Sequence, residues 1–226
     1  MIVLALDTTT RMGSCAVSRD GAVVHEDAAD PLRSHDAQLP ASLMTLLERA
    51  ALSLSDVDVY AVATGPGSFT GLRVGIAAMQ GLAFALGKPL VGVSAFDALA
   101  RNAGGGLVAT WIDAWRGEVY AALYRDGREV EGPTVEHPDV ILKRVARLGR
   151  CTFIGEGAET YKETIMKALA DQVRLATPVT PLLAGTVAML ATEAAHGRQL
   201  PPPHAIRPLY VRRPDAVLAR DARPVR

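Results

Sequence analysis

The sequence predicts an α/β protein built from two copies of one unit and packed as two lobes. The first observation is an internal repeat, because Asp7 and Asp20 are thirteen residues apart and so are Asp113 and Asp126. The second is that each copy runs on into a short apolar stretch, a glycine-rich loop and a helical pattern. The third is the length of 226 residues, which suits two small, closely packed lobes.

The first copy opens with three predicted strands. Apolar runs over 2–6 and 13–17 are followed, after the Asp20-Gly21 pair, by a run over 22–26. An Asp-Gly pair between such runs is a strong signal for a tight β-hairpin. We therefore expect a strand, a turn, a second strand, a hairpin and a third strand.

The second copy repeats this pattern at an offset of 106 residues. A run over 107–112 ends at Asp113, and the chain then continues to a second Asp-Gly pair at 126–127. Four further identities fall at the same offset: Ala16 with Ala122, Arg19 with Arg125, Gly21 with Gly127, and Val24 with Val130. Each copy is followed by a strand and a glycine loop, after 59–64 and after 151–154. The alternative is chance similarity, because Asp-Gly hairpins are common and the identities are few.

Two helices are predicted in the first lobe, which we place in residues 1–100. Residues 36–50 carry leucines at one-face helical spacing, namely Leu39, Leu43, Leu46 and Leu47. Residues 72–86 are apolar around nearly the full helical circumference. The sheet of an α/β lobe covers only one side of such a helix, so a neighbouring helix, the other lobe or another chain must cover the rest.

The second lobe, with a tail, occupies residues 101–226 and contains predicted helices over 138–148, 159–170 and 182–196. Three consecutive prolines at 201–203 stop the last helix. The tail after Arg207 carries five more arginines.

Composition limits the functional classes. Apolar residues make up 49% of the chain, and 24 basic residues balance 24 acidic ones, which argues against a large basic surface for nucleic acid. The two cysteines, Cys15 and Cys151, suggest neither a disulfide framework nor a zinc site. The chain opens without a basic leader and has no membrane-length apolar run, so we expect a cytoplasmic protein with no membrane partner.

Two loops have the residue types of a phosphate site. The run Asp7-Thr8-Thr9-Thr10 at a strand end can orient a magnesium-bound phosphate, or it can simply cap the turn into the next strand. The loop from Gly65 through Gly67 opens a helix and can present backbone N–H groups to an anion, or it can serve close packing. It matches neither the Walker A pattern nor GxGxxG.

The sequence gives no positive sign of catalysis. No GxSxG motif occurs, the five histidines are scattered, and neither cysteine has a histidine beside it. Trp111, Trp115 and Tyr120 flank Asp113 and can stack a base, although core packing is the favoured interpretation.

Several segments carry a resemblance to a known family. They are GPGSFTGLRVGIAAMQGLA, the LALDTT opening, SHDAQLPASL, WIDAWRGEVYAALY and IRPLYVR. Together these segments resemble the bacterial TsaB (YeaZ) family over nearly the whole chain.

The resemblance implies a duplicated ASKHA fold (actin, Hsp70 and sugar-kinase-like, with ribonuclease H-like lobes) and a role in making N6-threonylcarbamoyladenosine in tRNA. It implies a non-catalytic scaffold that supports a TsaD-like transferase through a bundle of two helices from each protein, with a TsaE-like ATPase joining them. Contact with tRNA is then indirect, through the complex. The TsaD metal motif is His-x-x-x-His, whereas here His35 is followed at that spacing by Leu39, so we expect no metal site.

We expect the partner interface on the two matching helices, and a homodimer through the same face when the partner is absent. The predicted interface residues are Leu39, Leu43, Leu46, Leu47, Val74, Met79, Leu82 and Phe84. A vestigial nucleotide cleft is assigned to Asp7, Thr9, Gly65, Gly67 and Asp113. The chain is expected to require no cofactor, with ATP or ADP and Mg²⁺ binding, if at all, at the complex.

Two rival functions stay open. A small ASKHA phosphotransferase or ATPase would use Asp7, Thr9 and Asp113 around magnesium-ATP, and ATP turnover by the isolated chain would reveal it. A tRNA-contacting module would use the arginine-rich tail, and loss of salt-dependent tRNA binding on tail removal would reveal it.

Overall fold

The computed structural model describes residues 1–29, 35–196 and 200–212, without the side chains of 35–38. The first half contains β1 (Ile2–Asp7), β2 (Ser14–Arg19), β3 (Ala22–Ala28), α1 (His35–Arg49), β4 (Val59–Ala63), α2 (Phe69–Ala85), β5 (Leu90–Val93) and α3 (Ala95–Ala103). Its described strands form one sheet in the order β3-β2-β1-β4-β5. The first three strands are antiparallel, and β1, β4 and β5 are parallel.

The second half repeats this plan. It contains β6 (Leu107–Asp113), β7 (Val119–Arg125), β8 (Arg128–Glu136), α4 (Pro138–Val145), β9 (Cys151–Ile154), α5 (Glu156–Thr160), α6 (Lys162–Leu169), β10 (Val173–Leu175) and α7 (Ala184–Ala195). The sheet order, β10-β9-β6-β7-β8, is that of the first sheet once β6 is matched to β1. The duplicated α/β architecture predicted from the repeat is confirmed.

Both Asp-Gly pairs form the tight hairpins predicted for them. Asp20 and Gly21 have φ angles of 52° and 83°, and Asp126 and Gly127 have φ angles of 50° and 77°. Two consecutive residues with positive φ are what a two-residue hairpin turn requires. The repeat is therefore visible in the sequence because the turn chemistry is repeated.

Some predicted helices differ from those observed. The helix predicted over 159–170 is two helices, α5 and α6, separated at Tyr161. The helix predicted over 138–148 ends at Val145, and the one predicted over 72–86 begins earlier, at Phe69. Among the described residues, no helix combines the length and apolar character needed to span a bilayer.

The last helix of each half packs on the sheet of the other half. Helix α7 contacts all five strands of the first sheet, whereas α3 contacts β6, β7 and β9 of the second. Their apolar side chains fill one core between the two sheets, together with Val3 and Ala5 of β1 and Val108 and Ile112 of β6. The predicted boundary at residue 100 lies inside α3.

Helices α1 and α2 cover the opposite face of the first sheet. Their inward side chains form a second core with β1 and β4, in which Leu39, Leu43, Leu46, Leu47 and Met79 are all buried. The apolar stripe of α1 is thus covered by the chain's own sheet. The side chain of His35 lies outside the described residues.

Candidate functional site

The loop between β1 and β2 is held by the buried carboxylate of Asp7. The Thr9 N–H and hydroxyl donate to Oδ1 over 2.8 and 2.6 Å, and the Thr10 hydroxyl donates to Oδ2 over 2.7 Å. Both carboxylate oxygens therefore accept hydrogen bonds from the loop itself. This is the turn-capping arrangement that the sequence left open as an alternative to phosphate binding.

The same loop lies directly on α2. The Thr8 hydroxyl donates to the Gly71 carbonyl over 2.7 Å, and the Ser68 N–H donates to the Thr9 carbonyl over 2.9 Å. A Cβ atom at Gly67 would lie 2.3 Å from the Thr9 carbonyl oxygen, and one at Gly71 would lie 2.1 Å from the Thr8 carbonyl oxygen. These glycines permit close packing of a helix start against a loop, which is the second interpretation given for them above.

An arginine occupies the cleft between the two sheets. The backbone N–H of Arg11 donates to Oε1 of Glu156 over 2.7 Å. The Arg11 guanidinium lies 3.4 Å from Oδ2 of Asp113. The guanidinium carbon is also 4.8 Å from the ring centroid of Trp115. Burial raises the pKa of Glu156, and Arg11 opposes that rise.

Several groups that could hold a nucleotide phosphate in this cleft already contact the protein itself. The Ser68 N–H at the start of α2 is bonded to Thr9, and Gly155 in the second lobe packs against the Trp111 carbonyl, where a Cβ would come within 2.2 Å. Asp113 accepts from the Trp115 N–H and lies beside the Arg11 guanidinium, and Glu156 accepts from the Arg11 backbone N–H, so both carboxylates already have protein partners. Within the described residues no group of three or more His, Cys, Asp or Glu side chains is placed to hold a metal.

The predicted cleft residues are only partly brought together. Thr9, Gly67 and Asp113 line one cavity of about 120 Å³. Asp7 is buried beneath Thr9, and Gly65 packs instead against Leu72 and the Leu209 carbonyl. Nucleotide or Mg²⁺ binding at a complex stays a prediction.

The outer face of α2 is mostly apolar, and α1 exposes Met44 as well as the charged residues Glu48 and Arg49. Phe84 is 82% exposed and Met44 is 42% exposed, whereas Val74 and Leu82 are half-buried. Ala77, Gly81 and Ala85 lie between them at a spacing of four residues and are exposed. Arg73 is the single charged residue of α2. We call this surface the α1–α2 face.

Part of the predicted interface needs correction. Leu39, Leu43, Leu46, Leu47 and Met79 are 8% exposed or less, because they pack against the first sheet. The expectation that they form an exposed seam is therefore wrong. Val74, Leu82 and Phe84 do reach the surface, and their contact with a partner stays a prediction.

A second exposed surface lies between the lobes, and the sequence had singled out only Trp115 and Tyr120 of its aromatic side chains. Core packing, the favoured interpretation, is wrong for Trp115, which is 59% exposed. A cavity of about 340 Å³ is bounded by the start of α2, the β6–β7 turn and the segment 209–212. Its walls, which we call the aromatic pocket, include Phe69, Trp115, Tyr120, Tyr210 and Arg212. Trp111, by contrast, is fully buried and meets Phe153 edge-on, as core packing requires. Phe69 and Tyr210 are distant in sequence, so no local pattern joins them.

Two sheets of identical strand order, enclosing a cleft lined by matching loops, define a protein of the ASKHA class. A solved structure of (R)-2-hydroxyglutaryl-CoA dehydratase component A from Acidaminococcus fermentans shares this fold, with a TM-score of 0.56 at 12% identity. That likeness covers 86% of this chain and 99% of the other.

A family model and relatives of higher sequence identity identify the family of this chain. A family model described as TsaD, tRNA N6-adenosine threonylcarbamoyltransferase, matches residues 13–219. The tRNA threonylcarbamoyladenosine biosynthesis protein TsaB of Escherichia coli is 35% identical over 175 residues, which cover 72% of this chain and 74% of that protein. The solved YeaZ from Pseudomonas aeruginosa has a TM-score of 0.71 at 29% identity, over 92% of this chain and 99% of that one.

The chain belongs to the TsaB (YeaZ) family, which serves tRNA threonylcarbamoyladenosine biosynthesis. It also spans 56% of the length of an uncharacterized Mycobacterium leprae protein that is 34% identical to it over 221 residues.

Proposed function

We propose that this chain is a non-catalytic subunit of the complex that forms N6-threonylcarbamoyladenosine in tRNA, and that it binds and supports a TsaD-like transferase. The observation that carries the proposal is the α1–α2 face. A phenylalanine that is 82% exposed stands on a helix with one charged residue among its seventeen. Large exposed apolar side chains on a helix with so little charge are typical of a protein interface.

The shape of the face suits the approach of other helices. The exposed small residues Ala77, Gly81 and Ala85 follow one line along α2, and a Cβ added at Gly81 would meet nothing within 4 Å. Small residues let a partner helix lie close to the backbone, while Phe84 and Met44 supply large side chains that can enter its grooves. A stable interface needs roughly 800 Å² per partner, which is more than α2 alone provides and thus involves α1 as well.

The cleft supports a non-catalytic role. Asp7 is engaged by Thr9 and Thr10, and Asp113 is engaged by Arg11 and the Trp115 N–H. A phosphotransferase would instead need these carboxylates directed at a metal-bound phosphate. We therefore rank the phosphotransferase below the scaffold, and we expect no ATP turnover by the isolated chain.

Two further partners belong to this proposal. Without the transferase, a second copy of this chain covers the α1–α2 face, because an apolar surface of this kind favours self-association. In the full complex a TsaE-like ATPase joins the pair, and the tRNA is reached through the assembly.

The α1–α2 face is tested by placing a charge on it. We expect Phe84→Asp to weaken the heterodimer with a TsaD-like partner by about 100-fold, since an unpaired carboxylate would be buried at the interface. Light scattering of the chain alone, and mixed with the partner, measures both the self-dimer and the heterodimer.

The matched control is Met166→Asp, on the exposed side of α6 in the second lobe. It should leave both assemblies intact. Substitutions at Leu43 or Met79 are unsuitable, because these side chains are in the core and a charge there would unfold the lobe. A heterodimer of undiminished affinity with Phe84→Asp would place the interface elsewhere.

A further inference from the structure

The aromatic pocket concentrates exposed rings at the mouth of the interlobe cleft. Phe69, Trp115 and Tyr210 are 50%, 59% and 43% exposed, and all three line the pocket. The Phe69 and Tyr210 rings lie 5.7 Å apart between centroids, tilted by 37°. The pocket's volume of about 340 Å³ falls within the range of small-molecule sites.

The rings are held in place by the backbone around them. Trp115 has a φ of 60°, a conformation uncommon for a bulky residue. Its N–H donates to Oδ1 of Asp113 over 2.9 Å, and its carbonyl accepts from the Glu118 N–H over 3.0 Å. On the opposite wall, the Leu209 N–H donates to the Thr64 carbonyl over 2.7 Å, which fixes the residue next to Tyr210. The exposed rings therefore belong to ordered segments.

Guanidinium groups accompany the rings. The Arg73 guanidinium lies 3.8 Å from the Phe69 centroid, and its Nε donates to the Tyr210 hydroxyl over 3.1 Å. Arg11 lies 4.8 Å from the Trp115 centroid. Arg212, which donates to the Ala114 carbonyl and pairs with Glu118, lies 5.7 Å from the Tyr120 centroid. Arg212 lines the cavity itself, whereas Arg73 and Arg11 lie beside it, against the rings of Phe69 and Trp115.

We propose that the aromatic pocket binds an unpaired base of an RNA strand. A base offers two flat faces for stacking on Trp115 or Phe69, and its flanking phosphates suit the guanidinium groups of Arg73 and Arg11. The inference rests on the proposed function, in which the RNA is the tRNA that the complex modifies, and it goes beyond that function by giving this chain a direct contact with the tRNA.

RNA is preferred over other ligands because aromatic rings and guanidinium groups occur together at this site. A proline-rich peptide also binds between aromatic side chains, but it does not require guanidinium groups beside the rings, as Arg73, Arg11 and Arg212 are here. A free nucleotide has the same base and phosphate chemistry as RNA, so the experiment must separate the two.

The test is a titration of the full chain with an RNA hairpin whose loop is single-stranded. Binding is monitored by tryptophan fluorescence. Trp111 is fully buried, so a change in fluorescence on binding reports Trp115. We expect the hairpin to quench this signal. Trp115→Ala and Phe69→Ala should each weaken binding, measured by hairpin anisotropy, about 10-fold, as loss of one base stack does.

A paired duplex, a free nucleotide and an arginine variant are compared with the hairpin. A fully paired duplex of the same strand length should bind at least about 10-fold more weakly, because its bases are not free to stack on the protein. AMP should bind far more weakly than the hairpin, because it lacks the neighbouring phosphates. Arg73→Ala should lower both the affinity and its dependence on salt.

The matched control is Phe84→Ala, an equally drastic loss of an exposed ring outside the pocket. It should leave RNA binding unchanged while weakening the heterodimer, whereas the pocket variants should weaken RNA binding and leave the heterodimer intact. The two proposals can therefore fail separately.

The same titration is carried out on the heterodimer. Hairpin binding that is undiminished by both ring substitutions, or equally tight duplex binding, would overturn the inference. So would the absence of hairpin binding to both chain and heterodimer, or binding of a proline-rich peptide in place of the RNA.

Discussion

Gly75 lies in α2 where the helix meets the β1–β2 loop. A Cβ atom there would lie 2.1 Å from the Thr8 hydroxyl oxygen, whereas a Cβ at Gly81, in the same helix, would meet nothing within 4 Å. We expect Gly75→Ala to lower the free energy of unfolding by ~1–3 kcal/mol through overpacking. Gly81→Ala should leave it unchanged or raise it by up to ~1 kcal/mol, since alanine is the better helix former.

Denaturant unfolding of the two variants, in dilute solution so that self-association does not contribute, makes this comparison. Equal stability of Gly75→Ala and the unsubstituted chain would show that the loop does not lie against α2 as described.

At the scale of single residues, the sequence identifies the residues of the site but leaves two possible roles for them. It offers Asp7 and Thr9 as either phosphate ligands or turn caps, and the structure shows the hydrogen bonds of a cap. Both interpretations need the same residue types at the same spacing. The distinction depends on the geometry of the loop, which is fixed by its packing on α2 through Thr8 and Ser68.

At the scale of elements, α7 is the clearest case of a helix fixed by the other half of the chain. Its start has no side-chain cap of its own. The Ser14 Oγ on β2 accepts from the Leu183 and Ala184 N–H groups over 3.3 and 3.0 Å. The Glu26 carboxylate on β3 accepts from Gly185 over 2.7 Å, and burial raises its pKa.

We therefore expect Ser14→Ala to lower the free energy of unfolding by ~1–2 kcal/mol, because two N–H groups at a helix start lose their acceptor. Ser18, on the same strand, is the matched control, since its buried hydroxyl has no hydrogen-bond partner among the described residues. Ser18→Ala should be neutral or stabilising. Thermal unfolding distinguishes the two, and an equal loss for both would contradict the capping role of Ser14.

Helices α1 and α2 show what periodicity can and cannot predict. The leucine spacing of α1 correctly gives the helix and its apolar stripe, and the stripe faces the chain's own sheet. Because α2 is apolar nearly all round, its pattern cannot say which side the sheet covers. Met79 was thus misassigned to the surface, whereas Phe84 was correctly placed there.

At the scale of the whole molecule, duplication is readable from the sequence because turns and strand lengths are local properties. The exchange of α3 and α7 between sheets is not readable, since each is a short helix with an apolar face and the pattern does not say which sheet that face covers. The aromatic pocket is likewise formed by three distant segments. What the sequence predicts well is each lobe, and what it misses lies where the lobes meet.

The central claim is that this chain acts by docking on a transferase and not through its own cleft. Its most direct test is formation of N6-threonylcarbamoyladenosine in a reaction reconstituted from this chain and its TsaD-like and TsaE-like partners. We expect formation to require this chain, to fall with Phe84→Asp in parallel with loss of the heterodimer, and to persist with Asp113→Asn. Full formation with Phe84→Asp, or its loss with Asp113→Asn while the heterodimer stays intact, would contradict the claim.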